Sequence, residues 1–292
     1  MRTRGMLAVV VLGFAFCATA YAAKGILLRY KYKAGASQKY AMRATMTTRM
    51  SGVKQAAPGA NTMTMKGSLT VKTTAVSAAG VAAQEVKITD MEMVAPGMKM
   101  TLKNGKMSGT MGGKPMKMSK EEQDQAVDMS LKQKVDTRGQ VVGSAESAGS
   151  PLSGMGPFGS NQITAVFPKN AVSPGHKWSQ TIKTALGAGG AAPAMSVDMT
   201  YRFAGLEKYK GADVARITFQ GKGKMGPTPK GGRAGMGDVN QTLSGYQLFD
   251  YKAGVARYIK VKSQDVAKPR AAAGKAPSGS MTMTSDMEII LQ

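Results

Sequence analysis

Apolar and polar residues take turns along most of this chain. Tyr40, Met42, Ala44 and Met46 alternate with Ala41, Arg43, Thr45 and Thr47, and Met63 and Met65 alternate with Thr64 and Lys66 ahead of Leu69 and Val71. A period of two belongs to a half-buried strand, whose successive side chains point to opposite faces. Ile26–Lys33 opens the series, and the Ala34-Gly35-Ala36-Ser37 turn follows it. Beyond Ala78-Ala79-Gly80, Val86, Ile88 and Asp90 alternate with Lys87, Thr89 and Met91. Asn104-Gly105 between two short strand patterns is a hairpin signal, because both residues tolerate the left-handed backbone of a tight turn. Many strands with Gly-rich turns predict a mainly β fold, either a large antiparallel curved sheet (or sheets) or a sandwich. One short helix is expected near 120–130. Ser119 and Glu122 have capping-box spacing, and Glu121, Glu122 and Asp124 suit the positive end of a helix dipole.

The beginning of the chain reads differently. Arg2 and Arg4 precede an apolar stretch from Met6 to Ala20, and Ala20-Tyr21-Ala22 offers small residues at the first and third positions of a cleavage triplet. The stretch is shorter than the roughly 20 residues that cross a bilayer, so residues 1–22 are expected to be a removable signal peptide. The chain is then exported, to the periplasm or outside the cell, and after cleavage is not an integral membrane protein. Residues 143–160 are rich in Gly, Ser and Pro and are expected to be a linker or long loop between a first β half, 23–142, and a second, 161–292. Shorter tracts of that kind at 187–194, 225–238 and 267–280 are expected to be surface excursions. The halves share a rhythm. Gly35 and Gly175 each precede a lysine and an aromatic residue, Val81-Ala82 is echoed by Val214-Ala215, and the Asn104-Gly105 turn is echoed by Tyr251–Gly254. Two related β halves would explain this.

Three stretches carry a resemblance: Leu28–Gly35, then Phe167-Pro168 with Val172–Trp178, and Gly245-Tyr246 with Phe249–Gly254. Together they resemble an exported bacterial β-rich family of unknown function, and more weakly the lipoprotein-carrier half-barrels, whose curved sheet binds acyl chains. The resemblance implies a β fold and an envelope location, and it brings no catalytic residues.

Composition narrows the function. The 292 residues carry 40 Lys and Arg against 17 Asp and Glu, for a net charge of +23. Removing residues 1–22 takes two arginines and the one cysteine, leaving +21 and no possible disulfide. Export removes nucleic acid from the expected partners. An anionic envelope component, lipid headgroups or an acidic glycan, takes its place, in a salt-sensitive association. Lysines alternating with apolar residues, as at Lys31/Lys33 and Lys260/Lys262, equally suit a solvated sheet face. Nucleophilic catalysis of the Ser-His or Cys-His kind requires a base beside the nucleophile, and the one histidine, His176, stands in a Pro-Gly turn. Asp90/Glu92 and Asp286/Glu288 are the acid pairs that share a strand face. No cofactor is expected, and the chain does not read as an enzyme.

Methionine is the unusual feature. The exported chain has 22 Met against 11 Leu, many as Met-x-Met. Three readings compete. Methionine can replace leucine in a core, where its flexible thioether fills gaps. It can line an apolar or lipid-binding groove, for which Met42, Met46, Met63, Met65, Met91 and Met93 are the candidates. It can supply a soft-metal site for Cu(I), since thioethers select such ions. Met98, Met100, Met107, Met111, Met116 and Met118, gathered about the Asn104-Gly105 turn, are the candidates there.

Overall fold

The computed structural model describes residues 25–51, 61–103, 105–116, 130–143, 164–185, 194–225, 236–269 and 279–292. The expected signal peptide, the expected helix as far as residue 129 and nearly all of the 143–160 linker lie outside them. Ser130, the last residue of the helix expectation's range, begins a strand.

Thirteen strands of the described residues pair into one antiparallel, open, curved sheet. One sheet is formed, not a sandwich of two. The first seven are β1 (Ser37–Ser51), β2 (Asn61–Val76), β3 (Ala82–Ala95), β4 (Met98–Lys103), β5 (Lys106–Met111), β6 (Lys114–Pro115) and β7 (Ser130–Val135). The remaining six are β8 (Lys177–Ala185), β9 (Ala194–Tyr209), β10 (Ala212–Met225), β11 (Met236–Asp250), β12 (Val255–Pro269) and β13 (Ser280–Leu291). Twelve of the thirteen follow the spatial order β6-β5-β4-β3-β2-β1-β13-β12-β11-β10-β9-β8, and β7 pairs with β3 off this path. Two six-stranded meanders therefore follow one another, joined where Tyr40 of β1 faces Leu291 of β13. The echoed sequence signals fall on strands of equal rank. Gly35 and Gly175 precede β1 and β8, Ala82 and Ala215 lie in β3 and β10, and Gly105 and Gly254 turn β4 into β5 and β11 into β12. Ala194, Met225, Met236, Ala267 and Ser280 belong to strands, so five strands run into the tracts expected to be excursions.

One alternation expected from sequence is corrected. Val86, Ile88 and Asp90 do not continue along a single face. Leu69 pairs Ile88 while Ser68 pairs Asp90, which leaves Thr89 as an extra residue, a β-bulge. The bulge changes the parity, so Met91 and Met93 join Ile88 on the core side. Gly67 makes room for it, since a Cβ there would stand 2.6 Å from the Asp90 carbonyl oxygen.

The core lies on one face of the curved sheet, here the inner face. At one end two non-strand segments cover it. Ile26 and Val172 exchange backbone hydrogen bonds of 2.8 and 3.0 Å, Tyr30 N donates to Thr137 O at 2.7 Å, and Phe167 N donates to Arg138 O at 2.9 Å. Beneath these segments Leu28, Tyr30, Phe167, Phe203 and Phe249 are buried. The Phe167 and Phe249 rings lie 4.6 Å apart, and Tyr30 is 5.0 Å from each. Such ring pairs add to stability beyond the apolar area they bury. Gln247, wholly buried, accepts from Ala165 N at 3.0 Å and donates to the Tyr30 hydroxyl at 3.1 Å, while that hydroxyl donates to Ala165 O at 3.0 Å. Every polar atom in this small circuit is used, which is what makes a buried amide tolerable.

Burial pushes the Tyr30 hydroxyl up to about 12, against the opposing effect of its hydrogen bonds. Tyr32, Tyr40 and Tyr201 shift upward for the same first reason. A phenol whose folded value exceeds the unfolded one, about 10, adds stability below that value and loses it as the pH rises. The unfolding midpoint in urea is therefore expected to fall steadily between about pH 10 and pH 12. Tyr30→Phe should flatten the fall without abolishing it. An identical slope in that variant would contradict this assignment.

Candidate ligand-binding face

Register, rather than sequence distance, decides which methionines meet. Along β1 the inner residues are Tyr40, Met42, Ala44, Met46, Thr48 and Met50, and along β13 they are Leu291, Ile289, Met287, Ser285, Met283 and Met281. One cross-strand row runs Met287, Ala44, Met65, Met93, Met100 and Gly109. The row beside it runs Ile289, Met42, Gly67, Met91, Leu102 and Met107. On the other side, Ser285 faces Met46, which faces Met63. Neighbours in such a row stand roughly 5 Å apart, close enough for side chains to touch.

All six groove candidates thus share one face, but they divide by depth. Met42, Met65 and Met91 are buried and pack in the core, while Met46, Met63 and Met93 are only partly covered. Exposure rises along β1 away from the aromatic end, from 2% at Met42 to 56% at Met50, and β13 opens likewise at Met283 and Met281, whereas the inner residues of β12 stay buried as far as Ala267. The inner face is closed at one end and increasingly open toward Met50, Met281 and Met283.

The soft-metal candidates occupy the continuation of this face on β4–β6. Met98 faces Met111, whereas Met107 faces Leu102 and not Met100. Met100 faces Gly109, and the sulfur of Met116 lies over that glycine, 3.1 Å from where a Cβ would stand. Met93, Met100 and Met116 are therefore consecutive side chains of one row. Met118 lies outside the described residues. Among the described residues no three His, Cys, Asp or Glu side chains gather to hold a metal.

Glycines on the inner face have a shared purpose. A Cβ on Gly221 would overlap the Met199 sulfur, and one on Gly245 would stand 2.7 Å from Phe219 Cζ. Each lets a long neighbour lie flat across the sheet.

The acid pairs singled out from sequence face the other way. Glu92 pairs with Lys99 at 2.9 Å, Glu288 with Lys260 at 2.8 Å, and Asp286 lies 3.8 Å from Lys260 and 3.7 Å from Lys262. The lysine hydrogen bond and one from Tyr258 hold the Glu288 carboxyl below the usual range. His176 sits exposed in its turn with its ring 6.1 Å from Trp178. Two inner residues were not legible as a pair. Asp265 of β12 faces Gln241 of β11 on one side and Met283 of β13 on the other. The available signal was parity: in Val261-Lys262-Ser263-Gln264-Asp265-Val266-Ala267 the acid falls on the apolar beat.

No family model matches the chain, and no curated protein matches it. Among solved structures, lipovitellin, described in terms of its lipid–protein interactions, matches over 90% of this chain with 11% identity and a TM-score of 0.43. The chain spans about a quarter of that protein's length, 25%. An outer membrane channel from Pseudomonas putida F1 matches over 90% of this chain and 97% of its own, with 8% identity and a TM-score of 0.22. DynF from the dynemicin biosynthesis pathway of Micromonospora chersina covers 91% of this chain and 85% of its own, with 10% identity and a TM-score of 0.20. At these scores the likenesses say nothing about ligand or activity.

Proposed function

We propose that this is an exported, non-enzymatic binding protein of the cell envelope that holds an apolar or lipid-like ligand against the methionine-lined inner face. One observation carries the reading: half-covered Met46, Met63, Met93, Met281 and Met283 lie on the same face as a closed core and continue it toward an open end. A core that needed only to be dry would end where its side chains become wet. Flexible thioethers along a partly open surface suit ligands of variable shape. The lysine-bearing outer face is the side that would meet an anionic envelope component.

The test is titration with the neutral dye N-phenyl-1-naphthylamine, followed by its fluorescence. The wild-type chain should bind it, and Met46→Gln combined with Met63→Gln should weaken binding about tenfold by placing two amides under the ligand. A wild type that leaves the dye dark, or a double variant that binds unchanged, refutes the proposal.

A second reading rests on the row Met93, Met100 and Met116 and on Met98 facing Met111, which together present thioethers to a soft cation such as Cu(I). Failure to withdraw Cu(I) from a chelating indicator would remove it.

A further inference from the structure

The inner face is apolar almost throughout. At the alternating inner positions of β1, β2 and β13, of β11 from Val239 to Gln247 and of β12 from Ile259 to Ala267, the described residues include no Lys, Arg or His. Asp265 is the one acid. Asp265 is 9% exposed and Gln241 beside it 6%. The Gln241 side chain faces the Asp265 carboxyl across the β11–β12 pair. Two buried acceptors, Asp265 Oδ1 and Gln241 Oε1, have no hydrogen-bond partner. The nearest hydroxyls along the face, Ser263 and Ser285, are engaged with each other at 2.7 Å. Burial shifts the Asp265 carboxyl upward, and Gln241 opposes the shift only in part.

Buried acceptors without donors are costly, and a buried carboxylate without a cation more so. Among the described residues the buried amide of Gln247 is fully satisfied, and one further buried acceptor without a partner, Gln133 Oε1, stands alone on β7 rather than beside a second one. Asp265 and Gln241 are instead left short on the face where methionines Met283, Met46 and Met63 offer a bed for an alkyl chain. We propose that the ligand is a long-chain amphiphile with a primary ammonium head, its N–H groups donated to Asp265 Oδ1 and Gln241 Oε1 and its chain laid along the methionine rows. An ammonium group supplies three donors and the missing positive charge, and charge-assisted hydrogen bonds are the strong ones. The preference runs against the overall charge. A protein at +23 attracts alkyl anions nonspecifically, so selection of a cation has to come from a local site. The inference rests on the proposed apolar binding face and specifies its head-group end.

The experiment displaces N-phenyl-1-naphthylamine with dodecylamine, dodecanol and dodecanoic acid, each below its micelle concentration and at physiological salt. Wild type is expected to bind dodecylamine roughly 10- to 100-fold more tightly than dodecanoic acid. Asp265→Asn, nearly isosteric, should lose that preference while keeping its affinity for dodecanol, which also reports that the variant is folded. Gln241→Met should lose part of it. Equal affinity for amine and acid in the wild type, or an unchanged preference in Asp265→Asn, overturns the head-group assignment while alkyl binding itself stands. If no dodecyl compound displaces the dye, both this assignment and the apolar-face proposal fall. Should Asp265→Asn not fold, the wild-type ranking alone decides.

Discussion

Phe249→Ala is expected to destabilise the protein by about 3–5 kcal/mol, the usual cost of emptying a fully buried aromatic site. The ring is completely covered and touches both segments that close the inner face, Phe167 at 4.6 Å and Tyr30 at 5.0 Å between centroids. The loss should not be uniform. Amides of Ile26, Tyr30 and Phe167, bonded to Val172, Thr137 and Arg138, should exchange with solvent much faster, whereas amides in the β1–β2 ladder should follow only the global change. Hydrogen exchange read residue by residue checks this. Equal acceleration everywhere would mean that the covering segments are not a separable unit.

The second large effect concerns a single methyl group. Gly245→Ala should cost about 3 kcal/mol or more, because the new Cβ would overlap the Lys260 carbonyl oxygen and press on the Phe219 ring. Backbone on the neighbouring strand cannot swing aside as a side chain can. Ser244→Ala, next door on the solvent side, should be close to neutral and serves as the control. Paired urea melts decide the matter: a Gly245→Ala chain as stable as its control would show that β11 and β12 can part locally without penalty.

The alternation of Met42, Ala44 and Met46 with Arg43 and Thr45 made the strands and their two faces legible, because a pleat has a fixed period. Depth was not legible. Met42 and Met46 obey the same alternation, yet one is core and the other half open, since coverage depends on Leu28, Tyr30 and Phe167 arriving from elsewhere in the chain. The bulge at Thr89 escaped for a related reason: it is defined by Ser68 and Leu69 on the partner strand, and nothing in Ile88-Thr89-Asp90 announces it. Asp265 and Gln241 are 24 positions apart and become neighbours only through the β11–β12 register. Gly221 and Gly245 gave no sign of their use either, because the side chains resting on them belong to β9 and β10.

The seam between β1 and β13 has a further consequence. β13 closes the second meander and joins it to the first, with β1 along one border and β12 along the other. Displacing it would divide the sheet into two parts, held together only by the covering segments, each ending in a fifteen-residue strand whose amides and carbonyls face outward unpaired. Such borders recruit any extended chain that comes near. Two molecules that traded this strand would satisfy each other, so the keystone that completes the monomer is also where a swapped dimer or an aggregate would begin.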